Sequence, residues 1–185
     1  GQDARVVLDD EGKNLVLRKI AGECEKDLKV FKGNLKKQGY ISEVKSVLSE
    51  FAQYGVDFER LDDFMKEVPP ESYLHYKLDD IRTIYEKFEE YLSEKYITKE
   101  EMLDVLSDAV PYSDILKGSV VAMDGFTGFT PVQNRLIGEL FSVCEKVMIT
   151  VTMDGRENPY VYEHPYQIFA LGKQMVTSLM KIAGE

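Results

Sequence analysis

One aspartate stands where an α/β sheet places its ligand-binding side chains. Asp124 directly follows residues 119–123, a small apolar run typical of a buried strand. Ligands of open α/β sheets bind beyond the carboxyl ends of the strands, and an acid there can hold Mg²⁺ on a bound nucleotide. The alternative is structural, because an aspartate after a strand commonly begins a turn or accepts a backbone N–H. Asp124 is therefore the first candidate for chemistry.

The residues after Asp124 predict a helix and then a second strand. Thr130 supplies an N-cap, Pro131 suits the first helical position, and Gln133 stands where a capping box needs it. The alternative interpretation of Gln133 is thus purely structural. Residues 147–151 form a second buried run, so strand, helix and strand make a βαβ unit with parallel strands. Two parallel strands do not make a stable sheet by themselves, and we expect the missing strands outside this chain.

The first part of the chain predicts helices instead. Apolar residues recur at helical spacing, and the longest predicted helix covers residues 73–96. Thr98 and Glu101 form a second capping box. The pattern changes near residue 118. This predicts an α/β fold class with a helical subdomain at residues 1–117 and part of a parallel α/β domain at residues 118–185, which ends in a helix that includes Ile168 and Phe169. Because the chain begins at Gly1 and enters a helical pattern almost at once, we expect it to be a piece of a longer protein.

A basic stretch lies between residues 26 and 37, where glycines predict a looped segment. Four of its lysines are the candidates for contact with a nucleic-acid backbone: Lys29, Lys32, Lys36 and Lys37. Such contacts would be weak and would depend steeply on salt concentration. The alternative is that these lysines only form a solvated face.

Composition argues against several classes of protein and of binding site. The 185 residues include 23 Lys and Arg against 33 Asp and Glu, giving a net charge of -10, which argues against coating nucleic acid by bulk charge. No apolar run approaches a membrane span and no signal peptide is visible, so we expect no membrane contact. Cys24 and Cys144 are too few for a disulfide framework and too distant for a zinc site, and the expected compartment is the reducing cytoplasm. His75 and His164 lack partners at ligand spacing, so we expect no metal site apart from a Mg²⁺ contact at Asp124.

Residues 124–133 resemble motif II of superfamily 1 helicases, whose pattern is Asp-Glu-Phe-Gln-Asp-Thr-Asn-Pro-x-Gln. Four positions match without a gap: Asp124, Phe126, Pro131 and Gln133. Gly125 replaces the catalytic glutamate of that motif, and Gly128 replaces its second aspartate. This altered motif resembles that of the B subunit of the AddAB-type ATP-dependent helicase–nuclease. The likeness extends to residues 8–20, residues 28–32 and the helix ending at Gly55, which resemble the helical 1B insertion of that subunit. Residues 147–154 resemble the strand that follows motif II.

The resemblance implies a function for the parent protein. A B subunit pairs with an A subunit that carries a motor and a nuclease, and together they act on single- and double-stranded DNA to resect double-strand breaks for recombination. The family also implies Mg²⁺, ATP and a four-iron cluster, the cluster lying outside this chain. The chain contains no G-x-x-x-x-G-K-[ST] phosphate loop, and Gly125 cannot activate water, so we expect this region to be catalytically inactive. Two alternatives are an acidic helical interaction module unrelated to helicases and a piece of an active P-loop ATPase.

Overall fold

A computed structural model describes residues 5–35, 37–93 and 95–184. Contacts between residues divide the chain into two compact units, Gly1–Met102 and Leu103–Glu185. The predicted division at residue 118 marks the change from helices to strands, and as a domain assignment it stays a prediction. The prediction for Lys36 falls outside the described residues.

The first unit combines helices with one small parallel sheet. Its elements are β1 (Val6–Leu8), α1 (Asp10–Cys24), α2 (Gln38–Tyr54), α3 (Phe58–Glu67), α4 (Tyr73–Leu92) and β2 (Tyr96–Thr98). Helix starts follow the sequence, since Asp9, Asp57 and Ser72 each accept a backbone N–H three residues ahead. Helix α4 ends at Leu92, four positions before the predicted end at residue 96. The reason is tertiary, because Tyr96 begins a strand that pairs in parallel with Val6.

A continuous apolar core fills the first unit. Its buried side chains come mainly from α1, α2 and α4, and they include Leu17, Ile41 and Ile84. The loop between α1 and α2 contributes Leu28 and Phe31 to the same core. Burial of this kind stabilises a fold by about 25 cal/mol for each Å² of apolar surface removed from water. The basic stretch is therefore attached to the core through its apolar residues.

Helix α5 (Lys99–Ala109) contains the division between the units, and the remaining elements belong to the second unit. They are a short 3₁₀ turn (Val110–Tyr112), β3 (Val120–Met123), α6 (Pro131–Val143), β4 (Lys146–Ile149) and α7 (Ala170–Ala183). Strands β3 and β4 pair in parallel, with Val120 opposite Lys146 and Met123 opposite Ile149. The predicted strand–helix–strand unit with parallel strands is confirmed.

Two elements of the second unit differ from the sequence-based prediction: β4 covers Lys146–Ile149 rather than residues 147–151, and the last helix starts later than expected. The predicted capping box of Thr130 and Gln133 is present at the start of α6, and Cys144, just after that helix, is half-buried. Helix α7 begins at Ala170, although the prediction included Ile168 and Phe169. Phe169 instead adopts a φ of 60°, a left-handed conformation that the helical interior does not accept.

Candidate functional site

Asp124 lies at the carboxyl end of β3, as the sequence predicts. Its Oδ1 accepts a hydrogen bond from the hydroxyl of Thr150, the residue that follows β4. The backbone N–H of Thr150 also donates to the carbonyl of Met123, at 3.0 Å. These two bonds join the ends of the paired strands. The Asp124 carboxylate therefore already has a protein partner, while the side chain stays exposed to solvent.

Gly125, which directly follows Asp124, adopts a backbone conformation that favours glycine. Its φ is 81°, and a β-carbon built there would meet no atom within 4 Å. Space is thus free, but the backbone is strained for any residue with a side chain, at a cost of about 1–2 kcal/mol. The backbone at this position therefore suits glycine better than any residue with a side chain, including glutamate.

The loop after Gly125 forms one wall of an open groove. Phe126 is 43% exposed and packs against Phe129 with ring centroids 5.0 Å apart. The groove has a volume of about 410 Å³, and its walls include Phe126, Val151, Pro165, Phe169 and Leu171. Its surface is therefore mainly apolar, and it adjoins the carboxyl ends of the two parallel strands.

Gln133, the last residue of the helicase-like motif, is engaged at the helix start. Its Oε1 accepts the backbone N–H of Thr130 at 2.9 Å, and its own N–H donates to Thr130 Oγ1 at 3.4 Å. This reciprocal pair satisfies two donors that a helix otherwise leaves free. The side-chain oxygen is thus used for helix capping, which agrees with the structural interpretation of this residue.

The basic stretch forms the loop between α1 and α2, and a buried carboxylate fastens it. Asp80, on α4, is only 1% exposed. Its oxygens accept the backbone N–H groups of Lys29 at 2.8 Å, Val30 at 2.7 Å and Phe31 at 2.8 Å. Three charge-assisted bonds to consecutive amides fix the course of the loop. Residues 29–31 of the loop are therefore held in place next to Lys32.

The candidate lysines differ in how their charges are used. Lys29 makes a 2.9 Å ion pair with Asp79, whose carboxylate, hydrogen bonded to the ammonium, raises the pKa of Lys29. Lys37 donates to the side chain of Asn34 at 3.0 Å, which leaves its charge uncompensated by that contact. Lys32 is exposed. Lys32 and Lys37 are thus better suited than Lys29 to contact an external anion.

The sequence analysis did not identify two acidic residues of α4, the buried Asp80 and Glu89, whose pKa is raised. Asp80 precedes Ile84 by one helical turn and Phe88 by two, so an acid on the apolar face of α4 was the available signal. Burial, together with the charge of Glu101, raises the pKa of Glu89 from 4.5 to about 7. Glu89 lines a small cavity with Lys13 and Glu100, which form a 2.7 Å ion pair. No periodic pattern in the sequence indicates that environment.

The part of the chain that the structure describes contains neither a cluster of potential metal ligands nor a helix suited to span a membrane. Across residues 5–35, 37–93 and 95–184, no three His, Cys, Asp or Glu side chains are grouped so that they could hold a metal ion. In the same ranges, no helix combines the length and the apolar character needed to cross a bilayer. A four-iron cluster needs four thiolates, so the buried Cys24 and the half-buried Cys144 do not fit one.

Comparison with known proteins identifies the family. The family described as ADDB, N-terminal, matches residues 1–185. The B subunit of the ATP-dependent helicase/deoxyribonuclease of Lachnoclostridium phytofermentans is 40% identical over 184 residues, which cover 99% of this chain and 16% of that protein. The protein of the same name from Thermoanaerobacter sp. (strain X514) is 36% identical over 174 residues, covering 94% of this chain and 15% of that protein. That from Alkaliphilus oremlandii is 30% identical over 183 residues, covering 99% and 16%.

The structure defines an α/β fold class, in which helices are combined with two small parallel sheets among the described residues. The chain belongs to the ADDB N-terminal family. It spans about one-sixth of the length of the curated relatives it matches. The predicted resemblance to the helicase–nuclease family is confirmed, and the alternative of an interaction module unrelated to this family is wrong.

Proposed function

We propose that this chain is a degenerate, non-catalytic helicase-like region of the B subunit of a cytoplasmic ATP-dependent helicase/exodeoxyribonuclease. The parent protein, paired with its A subunit, resects DNA double-strand breaks for recombinational repair. The helical first part acts as a 1B-like subdomain, and the second part belongs to a P-loop-type α/β domain. The names of the relatives support the parent's role. The observation that carries the non-catalytic role is the φ of 81° at Gly125, directly after Asp124.

The chemistry of ATP hydrolysis supports the inactive role. Hydrolysis needs a loop that cradles the phosphates, a lysine and a group that orients the attacking water. The 185 residues hold no phosphate-loop sequence, and glycine at 125 offers no group to orient water. Asp124 is the one group of this motif suited to Mg²⁺, and its carboxylate accepts a hydrogen bond from Thr150. Mg²⁺, ATP and the iron–sulfur cluster are therefore assigned to other parts of the complex.

An ATPase measurement on the intact complex tests the inactive role. The B subunit is paired with an A subunit whose own ATPase has been inactivated, and hydrolysis is measured with single-stranded DNA present. We expect no hydrolysis above background, and no change when Asp124 is replaced in Asp124→Asn. The complex with an active A subunit is the control for assembly. Hydrolysis that depends on Asp124 would overturn the assignment.

The basic loop supports a second part of the proposal, contact with the DNA backbone. Its backbone is held by Asp80, and Lys32 and Lys37 extend from it with their charges available. Lys29 contributes less because Asp79 neutralises it. Lys36 is included in the proposal on the basis of the sequence alone, as the fourth of the candidate lysines. Lysine–phosphate contacts release counterions from DNA, so the binding constant should fall as salt rises.

A charge-removal series tests the DNA contact. In the intact complex, the triple variant Lys32→Ala, Lys36→Ala and Lys37→Ala should bind duplex and single-stranded DNA more weakly. Each lost phosphate contact should reduce the slope of log affinity against log salt by about 1. Lys66→Ala is the matched control, because that exposed lysine on α3 pairs with Asp63 at 2.7 Å. Unchanged DNA affinity and an unchanged salt slope in the triple variant would contradict the proposed contact between these lysines and DNA.

A further inference from the structure

The face of α4 that holds the basic loop also carries aromatic side chains. Asp80, which fastens the loop, shares this face with Tyr73, Tyr76 and Lys77, because helical residues three, four and seven positions apart lie on the same side. The loop is bound at Asp80, and Tyr73 lies two turns earlier, in the first turn of α4. The aromatic residues therefore continue the surface that the basic loop begins.

Contacts between lysines and aromatic rings join this face of α4 to the loop. The ammonium of Lys29 lies 4.9 Å from the centre of the Tyr76 ring. The ammonium of Lys77 lies 5.9 Å from the centre of the Phe31 ring, which belongs to the loop itself. Lys77 also donates to Glu43, on α2, at 2.8 Å. Lys77 thus connects α4 with both the loop and α2.

Two tyrosines lie beside Lys77. The hydrogen bond to Glu43 raises the pKa of Lys77, and the nearby hydroxyls of Tyr73 and Tyr40 raise it further. Tyr40 packs edge-on against Phe31, with ring centres 6.1 Å apart. Tyr73, in contrast, is 71% exposed. It therefore presents most of its surface to solvent, next to the loop that carries the candidate lysines.

The charge of the loop and the exposed ring together suit single-stranded nucleic acid. The whole chain has a net charge of -10, yet residues 26–37 contain five lysines and one acidic residue. Phosphates supply the negative charge that such a loop attracts. An unpaired base can stack on an aromatic side chain, whereas the bases of a duplex are already stacked on one another. An exposed tyrosine beside a basic loop is therefore suited to a strand with unpaired bases.

We propose that Tyr73 stacks against an unpaired base of single-stranded DNA whose phosphates contact Lys32 and Lys37 of the basic loop. This inference rests on the proposed contact between the loop and DNA, and it adds the class of DNA and the residue that selects it. Asp80 is a positioning residue, because it holds residues 29–31 in place. Every base has a flat face, so this contact holds the strand without reading its sequence.

Affinity measurements on the intact complex test the stacking. The anisotropy of a labelled single-stranded oligonucleotide is compared with that of a blunt duplex of the same sequence. Tyr73→Ala should bind the single strand about tenfold more weakly and the duplex as the wild type does. Tyr73→Phe keeps the ring and should bind both as the wild type does. Tyr54→Ala is the matched control, because Tyr54 is 54% exposed and lies at the far end of α2.

Photocross-linking of the unsubstituted complex gives a measurement that needs no variant. A single-stranded oligonucleotide that contains iododeoxyuridine is irradiated with the complex, and the cross-linked peptides are identified by mass spectrometry. We expect a cross-link at Tyr73 and none at Tyr54. Absence of the cross-link at Tyr73 would overturn the proposal.

Three further outcomes would also overturn it. In the first, Tyr73→Ala binds the single strand normally or loses affinity for both forms of DNA equally. In the second, Tyr73→Phe binds as weakly as Tyr73→Ala, so that the hydroxyl and not the ring makes the contact. In the third, Tyr73→Ala fails to assemble with the A subunit, which would assign this surface to a protein partner.

The salt dependence separates this inference from the proposed function. Loss of the lysines should lower the affinity for both forms of DNA and reduce the salt slope, whereas loss of the Tyr73 ring should leave the slope unchanged. If the triple lysine variant behaves as expected and Tyr73→Ala does not, only the stacking is wrong. If the triple lysine variant binds normally, the proposed contact between the loop and DNA is itself wrong.

Discussion

The carboxylate of Asp80 on α4 accepts the backbone N–H of Phe31, 2.8 Å away in the loop that follows α1. The same carboxylate takes the amides of the two preceding residues. Phe31 itself is buried in the core of the first unit. One side chain therefore satisfies three amides that belong to no helix or strand, and it fixes the loop that carries the candidate DNA-contacting lysines.

Asp80→Asn should destabilise the first unit by about 2–3 kcal/mol. The amide replaces one carboxylate oxygen by an NH₂ group, which faces backbone N–H donors and leaves them without an acceptor. The measurement is urea unfolding of the chain, followed by circular dichroism. Asp79→Asn is the matched control, since Asp79 makes an exposed pair with Lys29 that should contribute less than about 1 kcal/mol. Equal unfolding midpoints for the two variants would contradict the role given to Asp80.

Gly125→Ala should loosen the loop after β3 at a cost of about 1 kcal/mol, because its φ of 81° disfavours a β-carbon. The measurement is amide exchange of residues 123–130 in the full-length B subunit. Gly128→Ala is the control, because a β-carbon there meets nothing within 4 Å and the φ is not in the left-handed range. Gly125→Glu should also leave ATP hydrolysis absent, and hydrolysis gained by that variant would count against the assignment.

Glu89 should make stability depend on pH between about 4.5 and 7. The folded state raises the pKa of Glu89, so it holds a proton that the unfolded chain has released. Stability is then highest below pH 4.5 for this group and falls as pH rises to about 7. Glu89→Gln should remove this loss, gaining up to about 3 kcal/mol over the wild type above pH 7.

The Glu89 prediction is checked by urea unfolding of both proteins at pH 4.5 and pH 8. Glu90→Gln serves as the control, because Glu90 is adjacent on α4 but exposed. The control should leave the pH profile of the wild type in place. A parallel profile for wild type and Glu89→Gln would show that this carboxyl does not titrate in the predicted window.

Thr130→Ala should fray the first turn of α6, costing about 1 kcal/mol through loss of the N-cap. The backbone N–H of Gln133 then loses its acceptor, the hydroxyl of Thr130. Faster amide exchange at Val132 and Gln133 in the full-length B subunit is the expected result. Thr127→Ala, in the exposed part of the same loop, should leave those amides unchanged.

The sequence predicts the elements whose signals are local. The Thr130–Gln133 capping box, the Asp124 strand end and the presence of β3 and β4 all follow from residue type and spacing, although β4 ends at Ile149 rather than at the predicted residue 151. Their parallel pairing follows from the short helical connection. The exact length of α4 was missed because its end is set by the partner strand β1, more than eighty positions earlier in the chain.

The parts of the candidate site that sequence reasoning missed depend on tertiary contacts. In the sequence, Asp80 resembles the other acidic residues of a charged helix. Its role becomes visible only in the structure, where residues 29–31 donate their backbone N–H groups to it. Gly125 reads as the loss of a catalytic residue, whereas the structure adds a backbone conformation that suits glycine. The bond between Asp124 and Thr150 joins residues from separate strand ends, so no local pattern could indicate it.

The hydrogen bond from the Thr130 amide to Gln133 gives this glutamine a structural role that needs no enzymatic activity. A glutamine that begins a helix is useful whether or not a motor operates nearby, so loss of hydrolysis gives no reason for Pro131 or Gln133 to change. These two residues therefore carry no information about hydrolysis. Under the proposed function, the residue that carries it is Gly125, beside the acid at the end of β3.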